Sequence, residues 1–234
     1  MTASSHAAAG AATPTLPDDG RRVWLLALAG AATMFLVQPP ADLWWLAWLA
    51  PLPWLALVTM PRIEGSRPWL AIWTGGFLHW LFAIHWLRLP HPATSIGWMA
   101  LAAYLAWYVP LFIWAARRLV HRRRWPLVPA AALAWMTCEQ LRGQVLGGFT
   151  FGMLGHTQWR WTTVIQIADA FGAVGVSGLV MAVAAACATV LGRSSSRTWG
   201  SPRELAAAGG GVAALILAVA YGSLRLATAP PATN

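Results

Sequence analysis

The sequence predicts an all-α fold, a polytopic integral membrane helical bundle with about seven transmembrane helices. Three observations lead there. Of 234 residues, 58% are hydrophobic and only 10% charged, whereas soluble domains average about 25% charged residues. Apolar stretches of near-spanning length recur along the chain, separated by breaks marked with proline or arginine. All sixteen basic residues are arginine, none is lysine, and they gather in alternate breaks.

A bilayer core about 30 Å thick requires roughly 20 apolar residues per helix. The first twenty residues are rich in Ala, Thr and Pro without periodic apolar positions, so 1–20 reads as a disordered tail. Arg21 and Arg22 then precede the apolar run Val23–Val37, which resembles the start of a signal peptide. Gln38-Pro39-Pro40 follows in place of a small-x-small cleavage site, so the run is expected to stay as the first helix. Further candidate spans cover about 43–60, 69–87, 96–116, 126–141, 171–192 and 205–226. Together they place a transmembrane helical domain over 21–226 and a short tail over 227–234. The first and fifth spans are short and must extend into their flanks. The longest break, about Arg142 to Ala170, is too short for a soluble domain, and no span copies another.

Orientation follows from the arginines. With the N-terminus cytoplasmic, Arg21, Arg22, Arg62, Arg67, Arg117, Arg118, Arg122, Arg123, Arg124, Arg193, Arg197 and Arg203 fall inside. Only Arg88, Arg142, Arg160 and Arg225 fall outside, and the C-terminus is placed there with them. The net charge of +9 is thereby a topology signal, and nucleic acid is not an expected partner. The absence of lysine excludes Schiff-base and phosphate-loop chemistry. Two cysteines, Cys138 and Cys187, both in apolar stretches, exclude a disulfide framework.

The break after the fifth span is the most unusual segment. Glu139 ends an apolar helix and Arg142 follows three residues later on the same face. An ionisable group at membrane depth costs roughly 2.5–3.5 kcal/mol on insertion scales, so a desolvated Glu139–Arg142 pair is expected. A role in orienting a polar lipid headgroup is the functional alternative. Gly143, Gly147, Gly148, Gly152 and Gly155 then alternate with Phe149, Phe151, Met153 and Leu154. This composition suits neither a helix nor a solvated loop, and it predicts a membrane-apposed or re-entrant loop anchored by Trp159 and Trp161. The many tryptophans of the first four spans read mainly as interfacial anchors and packing groups.

Other patterns carry less. His79, His85 and His91 rotate about 240° from one to the next on a helix, so no metal site is expected. Gly172, Gly175 and Gly178 suggest close helix packing, with Asp169 capping the sixth span. There is no nucleophile elbow, zinc-protease motif or catalytic carboxylate pair, and no inverted repeat of a transporter.

Three runs in order carry a family resemblance. They are E-Q-L-R-G, G-G-F-T and G-H-T-Q between Glu139 and Gln158, F-L-V-Q-P-P-A-D-L-W-W from Phe35, and G-A-V-G-V-S-G-L from Gly172. The chain resembles the N-terminal membrane domain of bacterial apolipoprotein N-acyltransferase, with Thr150 in place of a usual proline and Thr157 in place of a usual serine. The resemblance implies seven helices leading to a nitrilase-like domain outside the inner membrane, whose Glu-Lys-Cys triad carries the acyl group. This chain ends at Asn234, where that domain is expected to begin, and it has no lysine for the triad. No catalytic residue, cofactor or metal is therefore expected here. Glu139, Arg142, Gly143, Gly148, Phe149 and Gln158 carry over as residues shaping the outer loop beside the lipid entrance. The expected partners are membrane phospholipids, diacylglyceryl lipoproteins and a separately encoded nitrilase-like subunit. A non-catalytic lipid-binding scaffold or assembly partner is the alternative.

Overall fold

The computed structural model describes residues 18–192 and 201–228. Most of the expected N-terminal tail, Arg193, Arg197 and residues 229–234 lie outside the described residues. Within them the chain is helical, with no strand. Its helices are α1 Asp18–Leu36, α2 Leu52–Thr59, α3 Pro68–Ala83, α4 Thr94–Ala106, α5 Tyr108–Arg117 and α6 Leu127–Arg142. Then come the single turn α7 Thr162–Ile165 and the long helices α8 Ala168–Gly192 and α9 Pro202–Ala227.

Prolines set several boundaries. The span expected over 43–60 divides into a 3₁₀ turn, Trp44–Trp48, and α2, because Pro51 and Pro53 lack the amide donors a continuous helix needs. Pro68 and Pro202 occupy the first turns of α3 and α9, where a missing N–H costs little. Ser201 caps α9 by accepting the Glu204 amide at 3.3 Å. In contrast, α4 and α5 run on through Trp107 into a π-turn, Arg118–Arg122, as one apolar rod of 29 residues. Among the described residues, that rod, α8 and α9 are the three helices long and apolar enough to cross a membrane. α3 and α6, at 16 residues each, fall short of the roughly 20 a perpendicular crossing needs.

α1 packs against α3, α3 against α4, α6 against α8 and α8 against α9. α2 sits among α1, α5 and α8, and its Trp54 is fully buried at the centre. The Trp54 indole N–H donates to Ala27 O at 3.3 Å, and its ring lies 6.2 Å from Trp135, which in turn meets Phe112 edge-on. This tryptophan is a core residue and not an interfacial anchor. The C-terminal carbonyls of α2 are satisfied from α5. Arg117 donates to Leu57, Val58, Met60 and Pro61, and His121 Nε2 donates to Val58 O. Gly178 meets Met136 of α6, as close packing requires, while Gly172 instead breaks the regular geometry of α8. Asp169 does not cap this helix. It accepts from Arg225 Nε at 2.9 Å and ties α8 to α9.

The α1–α3 contact depends on Gly75, where an added Cβ would fall against the Ala27 carbonyl. Gly97 in α4 has open space at the same position. Gly75→Ala is expected to lower stability by about 1–3 kcal/mol, and Gly97→Ala to leave it unchanged or slightly raised. Thermal unfolding of the detergent-solubilised protein measures both. Equal melting of the two variants would contradict a tight α1–α3 seam.

Candidate functional site

The last turn of α6 and the segment after it form the most polar part of the interior. Glu139 is 3% exposed. Its Oε1 accepts the Trp135 indole N–H at 2.9 Å, one turn back, and the Leu154 backbone N–H at 2.8 Å, across the loop. Arg142 is equally buried. Its Nη1 donates to Phe151 O at 2.7 Å, and its guanidinium lies 4.7 Å from the centre of the Trp80 ring.

The expected Glu139–Arg142 ion pair is therefore not formed among the described residues, where the three salt bridges all involve other groups. Each charge is used instead on loop backbone that would otherwise be orphaned. A buried amide or carbonyl without a partner costs about 1–3 kcal/mol, so two single staples satisfy more groups than one pair.

The loop itself is compact. Gly143 ends α6, its amide donating to Glu139 O at 3.0 Å. Gly148 adopts φ 81°, and a Cβ there would run into the Gly143 carbonyl, so this turn requires glycine. The turn brings Phe149 N onto Arg142 O at 2.8 Å and sets the Phe149 ring edge-on to Trp80. A 3₁₀ turn, Leu154–Gln158, follows. Gly155 N donates to the buried Ser177 hydroxyl of α8 at 2.7 Å. Thr157, at the position of the family's serine, donates to Leu154 O at 2.6 Å. Gln158 is fully buried and its Nε2 donates to Trp44 O at 3.0 Å. Trp159 is exposed, while Trp161 packs edge-on to Trp44 and Trp48. Asp42 holds this far end through Arg160 at 2.9 Å and the Trp159 indole at 3.3 Å.

Two spaces adjoin the loop. One is a cavity of about 30 Å³ bordered by His79, Trp80, Tyr108, Cys138, Glu139 and Arg142, roomy enough for a water molecule or two. Among the described residues, His79 Nδ1 and Glu139 Oε2 are buried there without a partner. The other is an open apolar groove of about 550 Å³ along α4, α5 and the end of α6. Trp69, Trp107, Leu111, Trp114, Leu141 and Val145 line it. Tyr104 and Tyr108 join their hydroxyls at 2.7 Å beside it, and Tyr104 also donates to Val145 O of the loop.

All six residues singled out in the sequence thus lie in one region, and each carries a hydrogen bond there through side chain or backbone. The reading of sequence alone missed Trp80, His79, Ser177, Trp135 and Asp42. Only Trp135 had a local signal, four residues before Glu139 on the same face. The others join the site across long sequence separations. Chemically, the arrangement can orient backbone and hold a lipid against aromatic walls. Cys138 is buried in α6 with no lysine in the chain.

Residues 30–186 match the model of the apolipoprotein N-acyltransferase N-terminal domain. An apolipoprotein N-acyltransferase of Rhodopirellula baltica is 31% identical over 220 residues, covering 87% of this chain and 38% of that protein. One from Chromobacterium violaceum is 32% identical over 213 residues, with 84% of this chain and 39% of that protein covered. A third, from Azotobacter vinelandii, is 35% identical over 147 residues, or 57% of this chain and 28% of the relative. The chain spans less than two fifths of the length of these relatives. The matched region contains the α6 staples, the loop after α6 and most of α8, and the chain belongs to the apolipoprotein N-acyltransferase N-terminal domain family.

Proposed function

We propose that this chain is the membrane half of an apolipoprotein N-acyltransferase acting in lipoprotein maturation in the bacterial inner membrane. It positions a phospholipid acyl donor and a diacylglyceryl lipoprotein, while a nitrilase-like domain outside this chain performs the transfer. The observation that carries this reading is the stapled outer loop beside the aromatic groove. The groove volume of about 550 Å³ falls within the roughly 300–1,000 Å³ of ligand pockets, and its walls suit an acyl chain. Without lysine, this chain cannot build the Glu-Lys-Cys triad that the resemblance implies.

On this reading the bundle crosses the membrane seven times, by α1, the 3₁₀ turn with α2, α3, α4–α5, α6, α8 and α9. The N-terminus is cytoplasmic and the C-terminus outside. Arg117 reaches the end of α2, and Glu204 reaches the start of α6, which supports gathering those arginine-bearing breaks at one end. Glu139, Arg142 and Gln158 act as positioning residues of the loop, together with Gly143, Gly148 and Phe149.

Complementation tests the function. In a strain depleted of its own N-acyltransferase, this chain alone is expected to leave lipoprotein N-termini free. Co-expression with a family nitrilase-like domain is expected to restore the third acyl chain, read by mass spectrometry of N-terminal peptides. Acylation by the chain alone would overturn the division of labour, and lipid binding without acylation in either case would favour the scaffold reading. The loop role has its own test by hydrogen exchange. Glu139→Ala and Arg142→Ala are each expected to cost about 1–3 kcal/mol locally and to speed amide exchange across 143–158. Unchanged loop protection with weakened lipid binding would instead assign these side chains to the headgroup.

A further inference from the structure

At the arginine-bearing end of the bundle, the end of α2, the π-turn after α5 and the start of α9 border an open pocket of about 480 Å³ whose lining contains no residue of the loop after α6. Arg124 lines it from the turn between α5 and α6, and Arg203 from the first turn of α9. Arg124 has φ 57°, a left-handed conformation uncommon for a residue with a Cβ. Hydrogen bonds fix that turn on its C-terminal side. Trp125 N donates to Leu119 O, and Leu127 N donates to Glu204 Oε2, both at 3.1 Å.

Among the described residues, neither arginine has a carboxylate within salt-bridge distance. Glu204 is the acidic group of the lining, and one of its oxygens is committed to the Leu127 amide. Two guanidiniums and one carboxylate leave one positive charge, the complement of a phosphodiester. Ser201 Oγ accepts from the Glu204 amide, and its O–H has no acceptor among the described residues. His121 uses its Nε2–H on Val58 O and adds no donor from that nitrogen. Pro61, Val120 and Trp125 supply the apolar part of the wall.

We propose that this pocket binds the phosphate of an anionic phospholipid in the leaflet at this end, separate from the acyl donor at the outer loop. The guanidinium forks of Arg124 and Arg203, with the Ser201 hydroxyl, hold the phosphate oxygens. The glycerol and first methylenes lie against Trp125, an indole placed where membrane interfaces favour it. A soluble phosphate would leave that apolar wall unused, which is why the occupant is a lipid. The site does not depend on the acyltransferase reading, and its failure would leave that reading intact.

Native mass spectrometry of the full chain, titrated with phosphatidylglycerol or phosphatidylethanolamine, tests the proposal. Phosphatidylglycerol is expected to be retained preferentially. Arg124→Gln and Arg203→Gln should each weaken that retention about fivefold, the contribution of one basic residue near an anionic surface. Arg62→Gln and Arg67→Gln each remove the same single charge outside the pocket and are each expected to change binding less than twofold, a margin well inside the effect of one arginine. Equal losses in the two pairs, at unchanged helicity and elution volume, would reduce the effect to net charge and overturn the site. Displacement of the lipid by millimolar glycerol 3-phosphate would also overturn it, in favour of a soluble phosphate ligand. Retention of lipid by the glutamine variants at the unsubstituted level would do the same.

Discussion

Backbone hydrogen bonding without water is the constraint on which the loop-bearing half of this bundle depends. Where α6 ends, the chain runs on through an irregular, glycine-rich segment that packs against the helices. Irregular backbone buried against apolar helices survives only when protein groups satisfy it. Glu139 takes the Leu154 amide, Arg142 gives to the Phe151 carbonyl, Ser177 takes the Gly155 amide and Gln158 gives to the Trp44 carbonyl. Four side chains from three segments thus replace what a helix would have done for itself. The segment's shape follows from where those four donors and acceptors stand.

The same constraint explains why Glu139 and Arg142 do not pair. Three residues apart on one helix face, they are well placed to meet. A direct ion pair would nevertheless leave the Leu154 amide and the Phe151 carbonyl unmatched in an apolar setting. Trp80 removes the remaining reason to pair, since its ring face lies under the guanidinium. The sequence displayed the two charges and their spacing, but the partners that decide their fate lie on α3 and beyond α6. Hydrophobic runs placed the helices well, because burial in lipid leaves a period-free apolar signal that needs no partner. The 43–60 run misled for a local reason. Its hydropathy is continuous, yet Pro51 and Pro53 break the hydrogen-bond ladder. Conversely, Pro110 sits near the start of α5 without ending the rod. The six site residues were legible as motifs, and their geometry was not, since Ser177, Trp80 and Asp42 are neighbours only after folding.

Charge is handled differently at the two ends of the molecule. On the side of the loop after α6, Arg160 pairs with Asp42 and Arg225 with Asp169, at 2.9 and 2.8 Å. Arg142 is buried, and Arg88 lies over the Trp98 ring. Each arginine of that side therefore has an internal counterpart. At the opposite end Arg117 serves as a cap for α2, Arg118 lies over Trp114, and Arg124 and Arg203 face a pocket with Glu204 alone as acidic neighbour. Exposed ion pairs contribute little to stability, about 0–1 kcal/mol, so the outer pairs matter less as glue than as neutralisation. They neutralise Arg160 and Arg225, whereas the exposed Arg88 keeps its charge over the Trp98 ring. The arginine-bearing end keeps its charge available, and it is there that an anionic group gains most. Asp42 and Asp169 thereby spend their charge on arginines of the loop side, while Arg124 and Arg203 keep theirs for the pocket at the other end.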